Sequence, residues 1–253
     1  MTRLYVVSDC GGVGRTTVAA NLAHALAARG ERVRLRDEDR QGALAVHFRS
    51  LEPPASRSGG GATPFHRTLA TNIELANTGT DRPGGHVSGQ AGPRANARAG
   101  GHGGQRVAAP TSIGIPLEII DTPVGRAFSE AELGEGDHVL AVIAPEARCY
   151  RTLPALLERH ASIRASGLAR NFIGVVNAHE PESPLARDTL QLVEETLGER
   201  LLTSTVMRDL AVPEAFAAGL PVADYAPWSQ AADAFGQMAD TFIAMKVVRH
   251  AVA

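Results

Sequence analysis

A glycine-rich loop near the amino terminus restricts the possible folds of this chain more than any other segment. It spans residues 10–17 (CGGVGRTT), follows a short apolar run at 4–7 and precedes an Ala- and Leu-rich run that begins at Val18. Strand, glycine loop and helix in this order form a cradle for nucleotide phosphates, because glycines let backbone N–H groups approach phosphate oxygens at a helix N-terminus. The usual pattern G-x-x-x-x-G-K-[ST] is broken, since Asp9 replaces its first glycine and Arg15 its lysine.

Composition places the chain among globular α/β proteins and argues against several functions. With 253 residues, of which 44% are hydrophobic, it can bury one full core. A net charge of −2 gives no general attraction to nucleic acid or anionic lipid. No apolar run approaches the roughly 18 to 20 residues of a membrane span, and the amino terminus enters a strand pattern directly. We therefore expect no signal peptide and a cytoplasmic location.

The identity of Arg15 has two explanations that the sequence leaves open. Only one of the 25 basic residues, Lys246, is a lysine. Such a skew fits a codon-biased genome, in which arginine replaced lysine by drift; the alternative is a selected change of chemistry. In either case a guanidinium is planar and forked, whereas an ammonium is a compact point charge. Arg15 is thus expected to hold phosphate in a geometry that does not suit hydrolysis.

Two further segments place acids after apolar strands. Residues 37–41 (DEDRQ) follow a strand pattern at Val33 and Leu35, in which intervening arginines predict one exposed face and an edge or partly open strand. Residues 117–125 (LEIIDTPVG) end a second apolar strand at Asp121. Carboxylates at the carboxyl ends of parallel strands lie at the ligand-binding edge of such a sheet.

The rest of the chain alternates strand and helix patterns around one long interruption. Residues 52–110 are glycine-rich, and 79–106 contain nine glycines, so we predict a disordered insertion with one short element at Phe65 to Ala76; a functional lid is the alternative. Further elements are predicted as strands at 138–144, 172–176 and 201–205 and helices at 16–29, 151–164, 183–197, 214–218 and 229–248. We therefore predict a single domain over 1–253 of class α/β, a doubly wound, mostly parallel sheet with helices on both faces.

Three segments together resemble the ParA/MinD family of P-loop ATPases. The loop is similar to the family's deviant Walker A box, K-G-G-x-G-K-T-T, with Cys10 and Arg15 in place of both lysines. Residues 37–41 resemble its D-x-D-P-Q segment, and residues 121–125 its D-x-P-x-G segment. Residues 37–48, 136–151 and 207–225 look more narrowly like the BcsQ (YhjQ) family, the ParA/MinD relatives encoded with bacterial cellulose synthase. The resemblance covers 1–50 and 117–240.

This resemblance implies a site for ATP or ADP with Mg2+. The residues that it places at the nucleotide are Cys10, Gly11, Gly12, Val13, Gly14, Arg15, Thr16 and Thr17 at the phosphates, and Asn177 near the adenine. Thr16 and Asp121 would hold the metal, Asp39 and less directly Asp37 would orient the attacking water, and Arg15 would stand in for a catalytic lysine. Because both lysines are missing, the resemblance leaves open a weak ATPase or a pseudo-ATPase.

Three functions follow from the resemblance. The first is an accessory, homodimeric nucleotide switch that assembles or positions the membrane cellulose synthase and contacts its components at the inner membrane. The second is a ParA-type partition ATPase, which needs a basic DNA-binding surface that the net charge does not supply. The third is a MinD-type membrane-cycling ATPase, for which residues 242–249 give a weak amphipathic pattern that packing of the last helix also explains. We expect no nucleic-acid binding and at most weak direct membrane binding.

Overall fold

One sheet of seven strands organises the part of the chain that the computed structural model describes, residues 2–39, 42–51, 65–67, 72–77, 117–126, 132–134, 136–159, 172–245 and 247. Its spatial order is β3-β4-β2-β5-β1-β6-β7, and every neighbouring pair is parallel except β3 and β4. The strands are β1 (Arg3–Val7), β2 (Val33–Asp37), β3 (Phe65–Arg67), β4 (Ile73–Asn77), β5 (Leu117–Asp121), β6 (His138–Ile143) and β7 (Phe172–Val176). The mostly parallel, doubly wound α/β class is confirmed.

Six α-helices and two short 3-10 helices accompany these strands in the described residues. The α-helices are α1 (Arg15–Ala28), α2 (Ala147–Arg159), α3 (Pro184–Leu197), α4 (Ala211–Ala218), α5 (Val222–Tyr225) and α6 (Gln230–Ala244). The 3-10 helices are Ala43–Leu51 and Gly198–Arg200. The predicted helices at 16–29 and 183–197 match to within one residue, whereas α4 and α2 begin three and four residues before their predicted starts. None of the described helices is long and apolar enough to cross a membrane.

Helices lie on both faces because the strand order reverses at β1. The connection through α1 leads from β1 towards β2, and the connection through α2 leads from β6 in the opposite direction to β7. Since parallel crossovers are right-handed, the two helices lie on opposite faces of the sheet. A Ser183 hydroxyl caps α3 by accepting a hydrogen bond from the backbone N–H of Ala186 at 3.3 Å.

The second strand, β2, is an interior strand, so the predicted edge position was wrong, whereas the predicted partly open face is present, since the Arg34 and Arg36 side chains are 28% and 35% exposed. It lies between β4 and β5. Its arginines are accommodated by acids on those neighbours: an Arg34 Nη2 donates to Glu74 Oε2 at 3.2 Å and an Arg36 Nη2 to Glu118 Oε1 at 2.5 Å. Cross-strand ion pairs thus replace the continuous apolar run expected of a buried parallel strand.

The segments predicted as a strand at 201–205 and as an insertion at 52–110 differ from regular sheet elements in different ways. The predicted strand at 201–205 forms only isolated bridges beside β7. The backbone N–H groups of Leu202 and Val206 donate to the carbonyls of Gly174 and Val176. A step of four residues on one segment therefore faces a step of two residues on the other. Such a bulged segment cannot keep the register of a ladder. The short element predicted at 65–76 corresponds to β3 and β4. The rest of the predicted insertion at 52–110 lies outside the described residues.

Candidate functional site

The glycine loop joins β1 to α1 and takes a conformation that requires glycine at two positions. Gly12 and Gly14 have φ values of +75° and +84°, which side chains with a Cβ rarely adopt. A Cβ on Gly14 would also lie 2.3 Å from Asn177 Nδ2. That amide donates to the Val13 carbonyl at 2.7 Å, so Asn177, at the end of β7, fastens the loop from behind. The family resemblance implied a position for Asn177 near the adenine; in the structure its amide contacts the loop itself.

Arg15 occupies the centre of the site, and its fork is engaged by two carboxylates. Its Nε donates to Asp121 Oδ1 and its Nη2 to Asp39 Oδ2, both at 3.0 Å. The Arg15 side chain is 8% exposed, and those of Asp39 and Asp121 are 21% and 1% exposed. A buried guanidinium with two carboxylate partners is a strongly held arrangement, because removal of one partner leaves an uncompensated charge. The arginine therefore ties the first turn of α1 to the ends of β2 and β5.

The next residue, Thr16, reaches the second oxygen of the same aspartate. Its hydroxyl donates to Asp121 Oδ2 at 2.6 Å. Burial raises the pKa of Asp121 above its ordinary value, although the hydrogen bond from Thr16 and the Arg15 guanidinium both act to lower it. A hydroxyl and a carboxylate in contact are the donor types that Mg2+ prefers. The residue types therefore fit a Mg2+ ion, but Arg15 competes for the same carboxylate.

Asp37 is buried at the end of β2 and directs both carboxylate oxygens at the backbone. Oδ1 accepts from the Asp39 N–H at 2.9 Å and Oδ2 from the Leu44 N–H at 3.2 Å. Burial raises the pKa of Asp37 to about 6, despite these two hydrogen bonds. The side chain holds the turn that carries Asp39, so the structure gives Asp37 a shaping role in the site.

Cys10 lies at the start of the loop with its side chain turned inwards. Its residue is 9% exposed, and the Ser8 hydroxyl bridges its backbone, accepting from the N–H at 3.0 Å and donating to the carbonyl at 2.8 Å. Cys10 lines the same small buried pocket as Cys149 of α2; burial first, and the neighbouring Cys10 side chain second, raise the pKa of Cys149 to about 12. The neutral side chain of Cys10 therefore packs against α2, away from the loop's open face, where Gly11 and Gly12 are exposed.

Thr17 borders a cavity that sequence reasoning did not anticipate. The cavity has a volume of about 330 Å3 and lies between the first turn of α1, the 3-10 helix Ala43–Leu51 and α4. His47 lines it, in edge-to-face contact with Phe216 at 4.9 Å between ring centroids. Burial lowers the pKa of His47 to about 4, so the imidazole is neutral at pH 7.

The structure thus brings together most of the residues selected from the sequence. Arg15 contacts both Asp39 and Asp121, and Thr16 contacts Asp121. Asn177 contacts the loop. Sequence reasoning did not select Arg148 in α2 as a neighbour of the loop. Its Nη2 would lie 3.9 Å from a Cβ on Gly12.

Comparison with known proteins supports the same fold and points to one family. A family model described as "Cellulose biosynthesis protein BcsQ" matches residues 1–242. No curated protein sequence matches the chain.

Solved structures of ATPases share the fold at low sequence identity. The septum site-determining protein MinD of Pyrococcus horikoshii, complexed with Mg-ADP, is 17% identical with a TM-score of 0.63, covering 98% of this chain and 99% of its own. A variant of McdA from Cyanothece in complex with ATP is 15% identical with a TM-score of 0.66 (100% and 99%). A ParA family ATPase from Chlorobium tepidum is 15% identical with a TM-score of 0.58 (94% and 98%). These matches establish a MinD- and ParA-like fold.

Proposed function

The chain belongs to the family of the cellulose biosynthesis protein BcsQ, and from that premise we propose that it is a nucleotide-binding switch that helps to assemble or position the membrane cellulose synthase. It binds ATP or ADP with Mg2+, forms a homodimer, and hydrolyses ATP weakly or not at all. It resides in the cytoplasm and reaches the inner membrane through components of the synthase complex.

The observation that carries this proposal is the double contact of Arg15 with Asp39 and Asp121. A phosphate that enters the glycine loop competes with these two carboxylates for the guanidinium, because arginine binds both anion types through the same fork. When Arg15 turns to phosphate, the ends of β2 and β5 lose the cation that ties them to α1. Phosphate binding in the loop is thereby coupled to the position of the segments that carry Asp39 and Asp121, at the carboxyl ends of β2 and β5.

Bound nucleotide would supply the phosphates for the loop's backbone donors, and Mg2+ would be held by Thr16 and Asp121 once Arg15 has left that carboxylate. The protein's own residues define the rest of the switch. Gly12 and Gly14 keep the loop open to phosphate, and Asn177 fastens it against β7. Asp37 holds the turn that presents Asp39, so a change at Asp39 is passed to the backbone of that turn.

Weak hydrolysis follows from what the candidate catalytic groups already contact. Cys10 carries no charge and is turned inwards, so it cannot stabilise negative charge that develops during phosphoryl transfer. Asp37 directs both oxygens at backbone N–H groups, which leaves it poorly placed to orient water. Asp39 would be released only when Arg15 moves. These contacts favour a protein that acts through binding and release of nucleotide.

The test combines nucleotide binding with oligomeric state. We expect calorimetry to show micromolar or weaker binding of ATP and ADP with Mg2+, and sedimentation to show a larger dimer fraction with ATP than without nucleotide. Gly14→Ala is the variant expected to lose nucleotide binding, since its Cβ would lie too close to Asn177. Binding absent at millimolar nucleotide, or a dimer fraction that ignores nucleotide, would contradict the switch.

A complementation assay tests the link to cellulose. In a host that lacks the chain, cellulose output measured by dye binding should return with the wild-type protein, but with neither Asp39→Ala, which removes one partner of Arg15, nor Gly14→Ala. Restoration by both variants would show that nucleotide binding is not needed. Unchanged cellulose output in the deletion host would overturn the role in cellulose synthesis while leaving the binding measurements intact.

A further inference from the structure

A second guanidinium, that of Arg148, lies beside the glycine loop, and Arg148 is not among the site residues selected from the sequence. Arg148 is in the first turn of α2, and its Nη2 is 3.9 Å from the position that a Cβ on Gly12 would take. The next residue, Cys149, lines the same small buried pocket as Cys10, so the first turn of α2 packs beside the loop. The proximity of Arg148 to the loop is therefore part of the packing of α2.

The contacts of Arg148 leave it able to bind another anion. Its Nε donates to Glu146 Oε2 at 2.6 Å, two residues earlier on the same segment. The two side chains are 58% and 49% exposed. Exposed ion pairs of this kind contribute little free energy, because water and salt screen them. An incoming phosphate can therefore replace Glu146 at small cost.

The open side of the loop is where positive charge is missing. Arg15 lies deep in the site with two carboxylates, and Cys10 is neutral and turned towards α2. Gly11 and Gly12 are exposed, so a ligand phosphate on their N–H groups would face outwards to Arg148. A phosphate oxygen that accepts from a backbone N–H lies about 3 Å from its nitrogen. That distance is within reach of the Arg148 guanidinium after a rotation about its side-chain bonds.

We propose that Arg148 binds the polyphosphate of a nucleotide held in the loop and supplies the positive charge that position 10 lacks. This inference rests on the proposed function, since it needs a nucleotide in the loop. The two arginines then have different roles. Arg15 exchanges Asp39 and Asp121 for phosphate inside the site, and Arg148 binds the phosphates from the exposed side. The second contact is specific for ligands with a charged phosphate chain.

The test compares Arg148→Ala with Arg151→Ala, an exposed arginine one turn further along the same helix. Calorimetry with ATP, ADP and AMP should show that Arg148→Ala weakens ATP binding about five- to tenfold, as expected for loss of a partly exposed charge-assisted hydrogen bond. The loss should shrink with ADP and vanish with AMP. Arg148→Lys should retain part of the affinity, and Arg151→Ala should stay within about twofold of wild type.

A charge placed back at position 10 gives a second readout. In the Cys10→Lys background, Arg148→Ala should cost less than in the wild type, because both groups then serve the same phosphates. If the melting curve shows that Cys10→Lys does not fold, the comparison of ATP affinity between Arg148→Ala and Arg151→Ala still tests the inference. Equal ATP affinity of Arg148→Ala and wild type, or equal losses for Arg148→Ala and Arg151→Ala, would overturn the inference and leave the proposed function standing. A wild-type protein that binds no ATP would overturn both.

Discussion

Replacement of Arg15 by lysine should destabilise the nucleotide-free protein and at the same time strengthen nucleotide binding. The guanidinium reaches Asp121 through Nε and Asp39 through Nη2, each at 3.0 Å. A single ammonium nitrogen cannot occupy both positions, so at least one of the two hydrogen bonds is lost. A hydrogen bond to a charged group contributes about 1.5 to 3 kcal/mol. With roughly 2 to 4 °C per kcal/mol for a chain of this size, we expect Tm to fall by about 3 to 12 °C.

Arg15→Ala should cost more than Arg15→Lys, because it leaves two buried carboxylates without their cation. Loss of one partner of a buried ion pair costs about 3 to 5 kcal/mol. Arg15→Ala combined with Asp121→Asn should recover part of that loss, since it removes one of the uncompensated charges. Urea unfolding of these three variants and the wild type, in a chelator and without nucleotide, gives the free energy of each step.

Lower stability together with tighter nucleotide binding would distinguish a latch, the contact of Arg15 with Asp39 and Asp121, from simple structural damage, which should weaken both. If phosphate and carboxylates compete for Arg15, Arg15→Lys lowers the cost of release, and the rise in Tm with ATP and Mg2+ should be larger than in the wild type. The reasoning fails if Arg15→Ala is as stable as the wild type. It also fails if Arg15→Lys is destabilised but gains no additional rise in Tm from nucleotide.

Two further predictions concern the loop and the pH dependence of stability. Gly14→Ala should lower Tm and abolish detectable ATP binding in thermal-shift assays, because φ is +84° and the new Cβ would lie 2.3 Å from Asn177 Nδ2; undiminished ATP binding would refute this. Asp37, whose pKa is raised from 3.8 to about 6, loses stabilising free energy as pH rises through that window, whereas His47, whose pKa is lowered from 6.5 to about 4, loses it as pH falls. The two opposing contributions are each about 3 kcal/mol. In urea unfolding between pH 6 and 4, Asp37→Asn should therefore steepen the loss of stability on acidification and His47→Gln should reduce it, and parallel profiles for all three proteins would contradict both pKa values.

Local patterns were enough to predict the first strand, the glycine loop and α1. Their signals, an apolar run, glycines with required positive φ and a helical period, lie within neighbouring residues. The position of Asp39 and Asp121 at one site, where both contact Arg15, was also predictable, because carboxyl ends of parallel strands share one edge of the sheet. The residues of the candidate site could therefore be selected before any geometry was known.

Contacts between distant segments could not be predicted in the same way. The arginines of β2 indicated an edge, because their partners Glu74 and Glu118 lie on strands whose order the sequence does not reveal. Arg148 carries no local signal of its position, since its relation to Gly12 depends on how α2 packs. The sequence also could not show which groups the Arg15 side chain contacts. Its residue type suits phosphate and carboxylate alike, and only the structure shows the carboxylates in contact.

The two explanations of Arg15, drift from lysine or a selected change, make different demands on the geometry. Drift requires only that a guanidinium be tolerated at this position, and nothing then favours a specific pair of partners. The structure instead gives the fork two carboxylates, one just after β2 and one at the end of β5, a contact that a lysine cannot reproduce. If drift is the cause, Arg15→Lys should support cellulose synthesis as well as the wild type in the deletion host. If the latch is what selection retained, Arg15→Lys should bind ATP more tightly yet fail to restore normal cellulose output, because the switch then no longer resets when nucleotide is scarce.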